Sequence, residues 1–332
     1  MAEIFLLLLG LALILISAEG FTNGVEALAH RLNLSTNFTG SVLAAVGTAL
    51  PETLLPIIAV FFFAEGQGHE IGVGAILGAP FMLATLAFPL IGLTVLISHF
   101  LFKKRTLEID IETVGFRRDI VFFLFAYSIA LFIVPYENET LRIFTALSLI
   151  LLYSLYVYLT LKGESNNVDA VEKLYFSPKN PNPHISIIIL QITTSLILMI
   201  AGAHTFVNAI EKISFEIGFP ALLFSLLVAP IATELPEKAN SIYWILRKKD
   251  SLAIGNVSGA MVFQSTIPVG FGIVFTEWNI TGLALISGIF AIIAGFLALT
   301  LSYVEKKLIP FGLTLGGVFY VIYLYMAVKE FI

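Results

Sequence analysis

Gly47-Thr48-Ala49-Leu50-Pro51-Glu52 and Ala232-Thr233-Glu234-Leu235-Pro236-Glu237 write nearly one phrase twice, each time inside an apolar run long enough to cross a bilayer. A charged side chain at the membrane centre costs roughly 2.5 to 3.5 kcal/mol on insertion scales, so carboxylates there line an ion path or hold a partner. The prolines carry the second half of the reading. Proline has no N–H, so within a helix Pro51 deprives the Gly47 carbonyl of its donor, and Pro236 does the same to Ala232. In lipid such freed carbonyls are tolerated where they face protein, water or an ion. Hard cations take oxygen ligands of this kind.

Around these phrases lie 332 residues that are 58% hydrophobic and 12% charged, with mean hydropathy +0.96. That is too apolar for a soluble domain of this length. The pattern predicts an all-α polytopic membrane protein with ten transmembrane helices, near 3–29, 40–64, 71–100, 119–135, 141–161, 184–209, 218–246, 252–275, 280–301 and 308–328. Fourteen of the eighteen Lys and Arg residues then fall in loops on one side, among them Lys103, Lys104, Arg105, Arg247, Lys248 and Lys249. Glu65, Glu70, Glu137, Glu139 and Glu277 fall in loops on the other. By the positive-inside rule the basic loops are internal, which puts the chain in the cell membrane with both termini outside. The N-terminal apolar run opens on Glu3 without a basic region or a small-residue cleavage site, and so reads as the first span instead of a leader. Without cysteine there is no thiolate metal ligand and no disulfide.

The chain also repeats. An offset of 185 aligns Phe21 with Phe206, Asn23 with Asn208, Glu26 with Glu211, and Leu50-Pro51-Glu52 with Leu235-Pro236-Glu237. An offset of 181 sets Gly74-Ala75-Ile76-Leu77-Gly78-Ala79 beside Gly255-Asn256-Val257-Ser258-Gly259-Ala260. Five spans per copy is an odd number, so the second copy enters the membrane inverted. Inverted repeats place a binding site at the midplane between the halves, on interrupted helices. The predicted organisation is a first five-helix repeat over 1–162, an internal polar linker over 163–183, and a second, inverted repeat over 184–332.

The two Leu-Pro-Glu motifs, the first-span stretch Ser17-Ala18-Glu19-Gly20-Phe21 and the Gly-rich starts of spans three and eight resemble the sodium/calcium exchanger family of the calcium/cation antiporter superfamily. The resemblance implies ten helices, with spans two, three, seven and eight around a central cation site and spans one and six sliding across it. It implies Glu52 and Glu237 as the carboxylates that bind calcium, with oxygens from Thr48 and Thr233. The motif in that family reads Gly-Thr-Ser-Leu-Pro-Glu, and here its serines are Ala49 and Glu234. Serines at the starts of spans three and eight become Ala79 and Ala260, and further polar positions fall on Leu83 and Gln264. Several sodium ligands are thereby lost, and proton exchange competes with sodium exchange.

Glu234 has two readings. Lys238 follows four residues later, a favourable helix pair, so a structural ion pair stands beside a ligand role. Gln264 is a candidate oxygen ligand or an interhelical bond; Asn256 reads as a helix-packing group. Glu19, Glu26, His204, Asn208 and Glu211 read as interface or helix-end residues against a gating role. The expected ligands are transported calcium and sodium or proton, with no resident cofactor. The partners are inorganic cations and the lipid bilayer, with no nucleic acid and no obligate protein partner. An ATP-driven pump lacks its Gly-x-x-x-x-Gly-Lys-Ser/Thr loop here, and an intramembrane hydrolase lacks His-Glu-x-x-His and Gly-x-Ser-x-Gly. A channel fits an inverted repeat less naturally than a ring of identical subunits.

Overall fold

The computed structural model describes residues 2–32, 44–134, 138–161, 173–180, 182–304 and 309–331. Their secondary structure is helical. In chain order the helices are α1 (Ala2–Arg31), α2 (Ala44–Phe62), α3 (Gly68–Met82), α4 (Phe88–Phe100), α5 (Thr113–Phe132), α6 (Glu139–Leu161) and α7 (Ile185–Ile217). They continue with α8 (Ala221–Thr233), α9 (Leu235–Leu246), α10 (Asp250–Gln264), α11 (Ile267–Phe275), α12 (Gly282–Val304) and α13 (Pro310–Phe331). A π-helical turn over Leu83–Ala87 joins α3 to α4. Among the described residues seven helical stretches are long and apolar enough to cross a membrane; α2 and α8 contribute shorter apolar helices, Ala49–Phe62 and Ala221–Ile231. Large apolar side chains such as Phe132, Leu151, Phe296 and Tyr325 lie exposed on the outer surface, where a lipid-facing bundle needs them.

Helices α1 and α7 have 30 and 33 residues, which at 1.5 Å per residue makes them about 45 and 50 Å long. Both exceed the roughly 30 Å hydrocarbon core of a bilayer. They cross on small residues: a Cβ on Gly10 would stand 2.9 Å from the Gly202 carbonyl oxygen, and one on Gly202 would stand 2.9 Å from Leu13 Cβ. Close backbone approach through small residues is how helices associate without a hydrophobic drive. At one end this pair is tied by Gln191, fully buried, which donates from Nε2 to the Gly20 carbonyl and to Asn23 Oδ1, both at 2.9 Å. Its Oε1 accepts from Phe176 N at 2.8 Å.

The predicted spans differ from these helices in particular ways. The span predicted to start at 119 starts at Thr113, because the Glu112 carboxylate accepts from the N–H groups of Val114 and Gly115 and caps it. The span predicted to end at 209 runs to Ile217, where Gly218 at φ 70 closes the helix: Phe219 N donates to the Ser214 carbonyl at 3.1 Å. Spans seven and eight are each split. Glu234 separates α8 from α9, and Ser265-Thr266 separates α10 from α11. Pro236 and Pro268 stand in the first turns of α9 and α11, where their missing N–H does no harm. Pro51, by contrast, stays inside a continuous α2. Part of the polar segment read as a linker is also packed: Leu174 is 2% exposed in a small core with Ala27 and Ile188.

One further tie joins the two halves of the chain. Arg105, in the loop after α4, donates to Asp250 Oδ2 and to the Ile245 carbonyl, both at 2.6 Å. The Asp110 N–H completes the set on Asp250 Oδ2 at 3.0 Å.

Candidate cation site

The contact of α3 with α8 makes the site possible. Pro230 cannot donate to the Leu226 carbonyl one turn earlier, and that freed carbonyl is seated against Gly78. A Cβ on Gly78 would lie 2.1 Å from the Leu226 oxygen, and one on Gly74 would lie 2.2 Å from the Leu222 oxygen. Real Cβ contacts are never so short, so only glycine lets these backbones meet. Ser225 Oγ donates to the Ile71 carbonyl at 2.7 Å and fixes the register.

Beside this contact the small side chains of Ala75, Ala79 and Ala229 leave a cavity, whose remaining walls are Glu52, Leu55, Pro230 and Thr233. The space open to the centre of a water-sized sphere is about 10 Å³. That is close to one such sphere, room for a single water or a single dehydrated ion. Glu52, on α2, is 8% exposed; Thr233, the last residue of α8, is 4% exposed. Thr233 Oγ1 donates to the Ala229 carbonyl at 3.2 Å, which leaves the hydroxyl oxygen able to accept or ligate. A carboxylate from the first Leu-Pro-Glu copy and a threonine from the second therefore share one cavity wall.

The other predicted site residues fall as follows. Glu234 sits in the α8–α9 break, 1% exposed, with Oε2 accepting from Lys238 Nζ at 2.8 Å. Its Oε1 has no hydrogen-bond partner among the described residues. Lys238 Nζ also donates to the Pro230 carbonyl at 3.2 Å. Gln264 is the last residue of α10 and is 2% exposed, beside the α10–α11 break and outside the cavity lining. Thr48 and Glu237 belong to α2 and α9, but their side chains lie outside the described residues, as does any approach of Glu237 to Glu52. Among the described residues no group of three or more His, Cys, Asp or Glu is arranged to hold a metal. The oxygens on hand here are a carboxylate, a hydroxyl and backbone carbonyls, a donor set that suits a hard cation.

Two helix interruptions fall at positions that the sequence offset pairs. The offset of 181 carries Ala84-Thr85, within the π turn, onto Ser265-Thr266, the break after α10. Thr85 Oγ1 donates to the Phe81 carbonyl at 2.6 Å, and Thr266 Oγ1 donates to Val262 at 2.7 Å, as threonines at a broken helix do. The interface residues also find partners. Glu211 Oε1 accepts from Gln67 N at 2.8 Å, Glu19 Oε1 accepts from Tyr175 Oη at 2.8 Å, and the His204 ring lies 4.8 Å from that of Phe63. Asn256 Nδ2 donates to Ser241 Oγ at 3.3 Å, across the α9–α10 hairpin. Sequence reasoning missed Leu55, Ala75 and Ala229, which carry no chemical mark, and the bond from Lys238 to Pro230.

Long apolar helices mark a membrane protein, and their bundle holds a small cavity lined by Glu52, Thr233 and apolar side chains. The chain belongs to the sodium/calcium exchanger family: the family described as "Sodium/calcium exchanger protein" matches over residues 2–162 and 187–329. It is similar to the putative antiporter CaxA of Alkalimonas amylolytica, 27% identical over 305 residues that cover 90% of this chain and 89% of that one. Its fold is that of the H+/Ca2+ exchanger CAX, with TM-score 0.73 at 18% identity, covering 99% of this chain and 85% of that one. The sodium-calcium exchanger NCX_Mj superposes with TM-score 0.60 at 21% identity, with 98% of each chain covered.

Proposed function

We propose that the chain is a secondary active antiporter that moves calcium, or a related divalent cation, by alternating access in exchange for sodium or protons. One observation carries this reading: Glu52 and Thr233, from the two copies of the repeated phrase, line one buried cavity with room for one ion. In this proposal Glu237 brings a second carboxylate and Thr48 a second oxygen to the same place, and Gln264 an amide oxygen beside it. Two carboxylates balance one divalent cation or two monovalent ones. The proposed frame is ten spans in two inverted repeats, with 163–183 inside and both termini outside. The repeat-related interruptions at 83–87 and 265–266 support it, since transporters of this architecture bind at interrupted helices. The apolar walls of the cavity, Leu55, Ala75, Ala79 and Ala229, favour protons over several sodium ions as the counter-ion, because each sodium needs its own oxygens.

Flux in proteoliposomes tests the reading. Calcium uptake is recorded with an imposed sodium gradient, an imposed pH gradient, or voltage alone. Uptake coupled to one of the two ion gradients is expected; uptake driven by voltage alone would indicate a channel. Glu52→Gln should lower uptake by about 100-fold, the effect of losing a charged ligand worth about 3 kcal/mol, with the helical content unchanged. Wild-type rates in that variant would refute the site.

A further inference from the structure

We propose that the Lys238 ammonium is a resident, tethered monovalent cation seated behind the Pro230 wall of the transport cavity, so that no mobile sodium ion uses that position. The inference deepens the antiport reading and rests on it. Nζ is held by the Glu234 carboxylate at 2.8 Å and the Pro230 carbonyl at 3.2 Å, the oxygen types a desolvated monovalent cation takes. Pro230 itself lines the cavity, three residues before the Thr233 that also lines it. Glu234 and Lys238 are 1% and 6% exposed, so this is no solvated helix pair. An ion pair buried so deeply returns little stability against its desolvation, and an apolar pair of similar volume serves a fold as well or better. Its place at a helix break beside the cavity calls for a functional account instead.

The geometry supplies one. Glu234 Oε1 remains buried without a hydrogen-bond partner among the described residues, an acceptor left over on the seat's own carboxylate. A cation on a covalent stem cannot leave with the gradient. It neutralises Glu234 in every state of the cycle, so one fewer mobile monovalent ion is carried per turnover and Glu52 is left to the transported ion.

Emptying the seat tests the proposal. Purified wild type, Lys238→Ala and the neutral double variant Glu234→Gln/Lys238→Met are unfolded thermally in sodium, potassium or choline chloride at equal ionic strength, without divalent ions. Lys238→Ala should show a saturable stabilisation by sodium or potassium over choline in addition to any response of wild type and the double variant. At ten times its dissociation constant a bound cation raises the folded-to-unfolded ratio roughly tenfold. In proteoliposomes, calcium flux through Lys238→Ala should gain a dependence on the same cation. The proposal is overturned by a Lys238→Ala protein with no added cation response, by a double variant that responds as the single one does, or by failure of Lys238→Ala to fold in all three salts. A wild type that carries no calcium under any gradient refutes antiport instead, while the extra cation site in Lys238→Ala is read from unfolding alone.

Discussion

An added methyl group meets different surroundings at Gly78 and Gly259, two glycines that the sequence offset of 181 pairs. A Cβ on Gly78 would meet the Leu226 oxygen at 2.1 Å, whereas one on Gly259 finds the Tyr156 hydroxyl at 3.4 Å as its nearest described neighbour. Gly78→Ala must push α3 off α8 and should cost about 1–3 kcal/mol, the usual penalty of overpacking. Gly259→Ala should leave the unfolding temperature close to wild type, and thermal unfolding in detergent compares the two. At this scale sequence identifies what has a chemical signature. Glu52 and Thr233 stand out because a carboxylate and a hydroxyl beside proline in lipid need a reason. Leu55, Ala75 and Ala229 do not, because an apolar residue in an apolar helix looks the same whether it fills space or borders a void. Lys238 is intermediate: its spacing from Glu234 is visible, its bond to the Pro230 carbonyl arises only once α8 breaks.

Where helices begin and end follows largely from the apolar pattern, and where they break does not. Proline shows that an N–H is missing without showing who covers the carbonyl, so Pro51 stays inside a continuous helix while Pro236 falls in the first turn of a new one. The π turn over Leu83–Ala87 has no sequence mark of its own. The segment 173–180 is polar enough to read as a tether, yet the buried Asn23 and Gln191 side chains of α1 and α7 bind its backbone. Gln191→Ala would leave the Phe176 N–H without its partner and remove one bond each from the Gly20 carbonyl and from Asn23 Oδ1, which keeps the Tyr175 N–H. A loss of about 1–3 kcal/mol is expected for the orphaned buried donor, together with faster hydrogen exchange over 173–180. Exchange at wild-type rate would show that the segment holds its place without Gln191.

The molecule as a whole offers a clean test of its orientation. Because the natural chain has no cysteine, any introduced thiol is the sole target of a thiol reagent. Lys104→Cys, beside the Arg105–Asp250 tie, and Glu65→Cys, between α2 and α3, lie in exposed loops. Under the proposed topology a membrane-impermeant maleimide added to intact cells labels Glu65→Cys, and reaches Lys104→Cys only after the cells are opened. The reverse pattern would invert the proposed orientation and leave the fold untouched.

The roughly 10 Å³ chamber bounded by Glu52 and Thr233 has a kinetic corollary under the proposed function. A berth that admits one passenger cannot seat the outgoing and the incoming ion together, so trade through it proceeds by turns, each departure preceding the next arrival. Exchange then follows a double-displacement rate law, in which neither ion waits on the other's simultaneous presence.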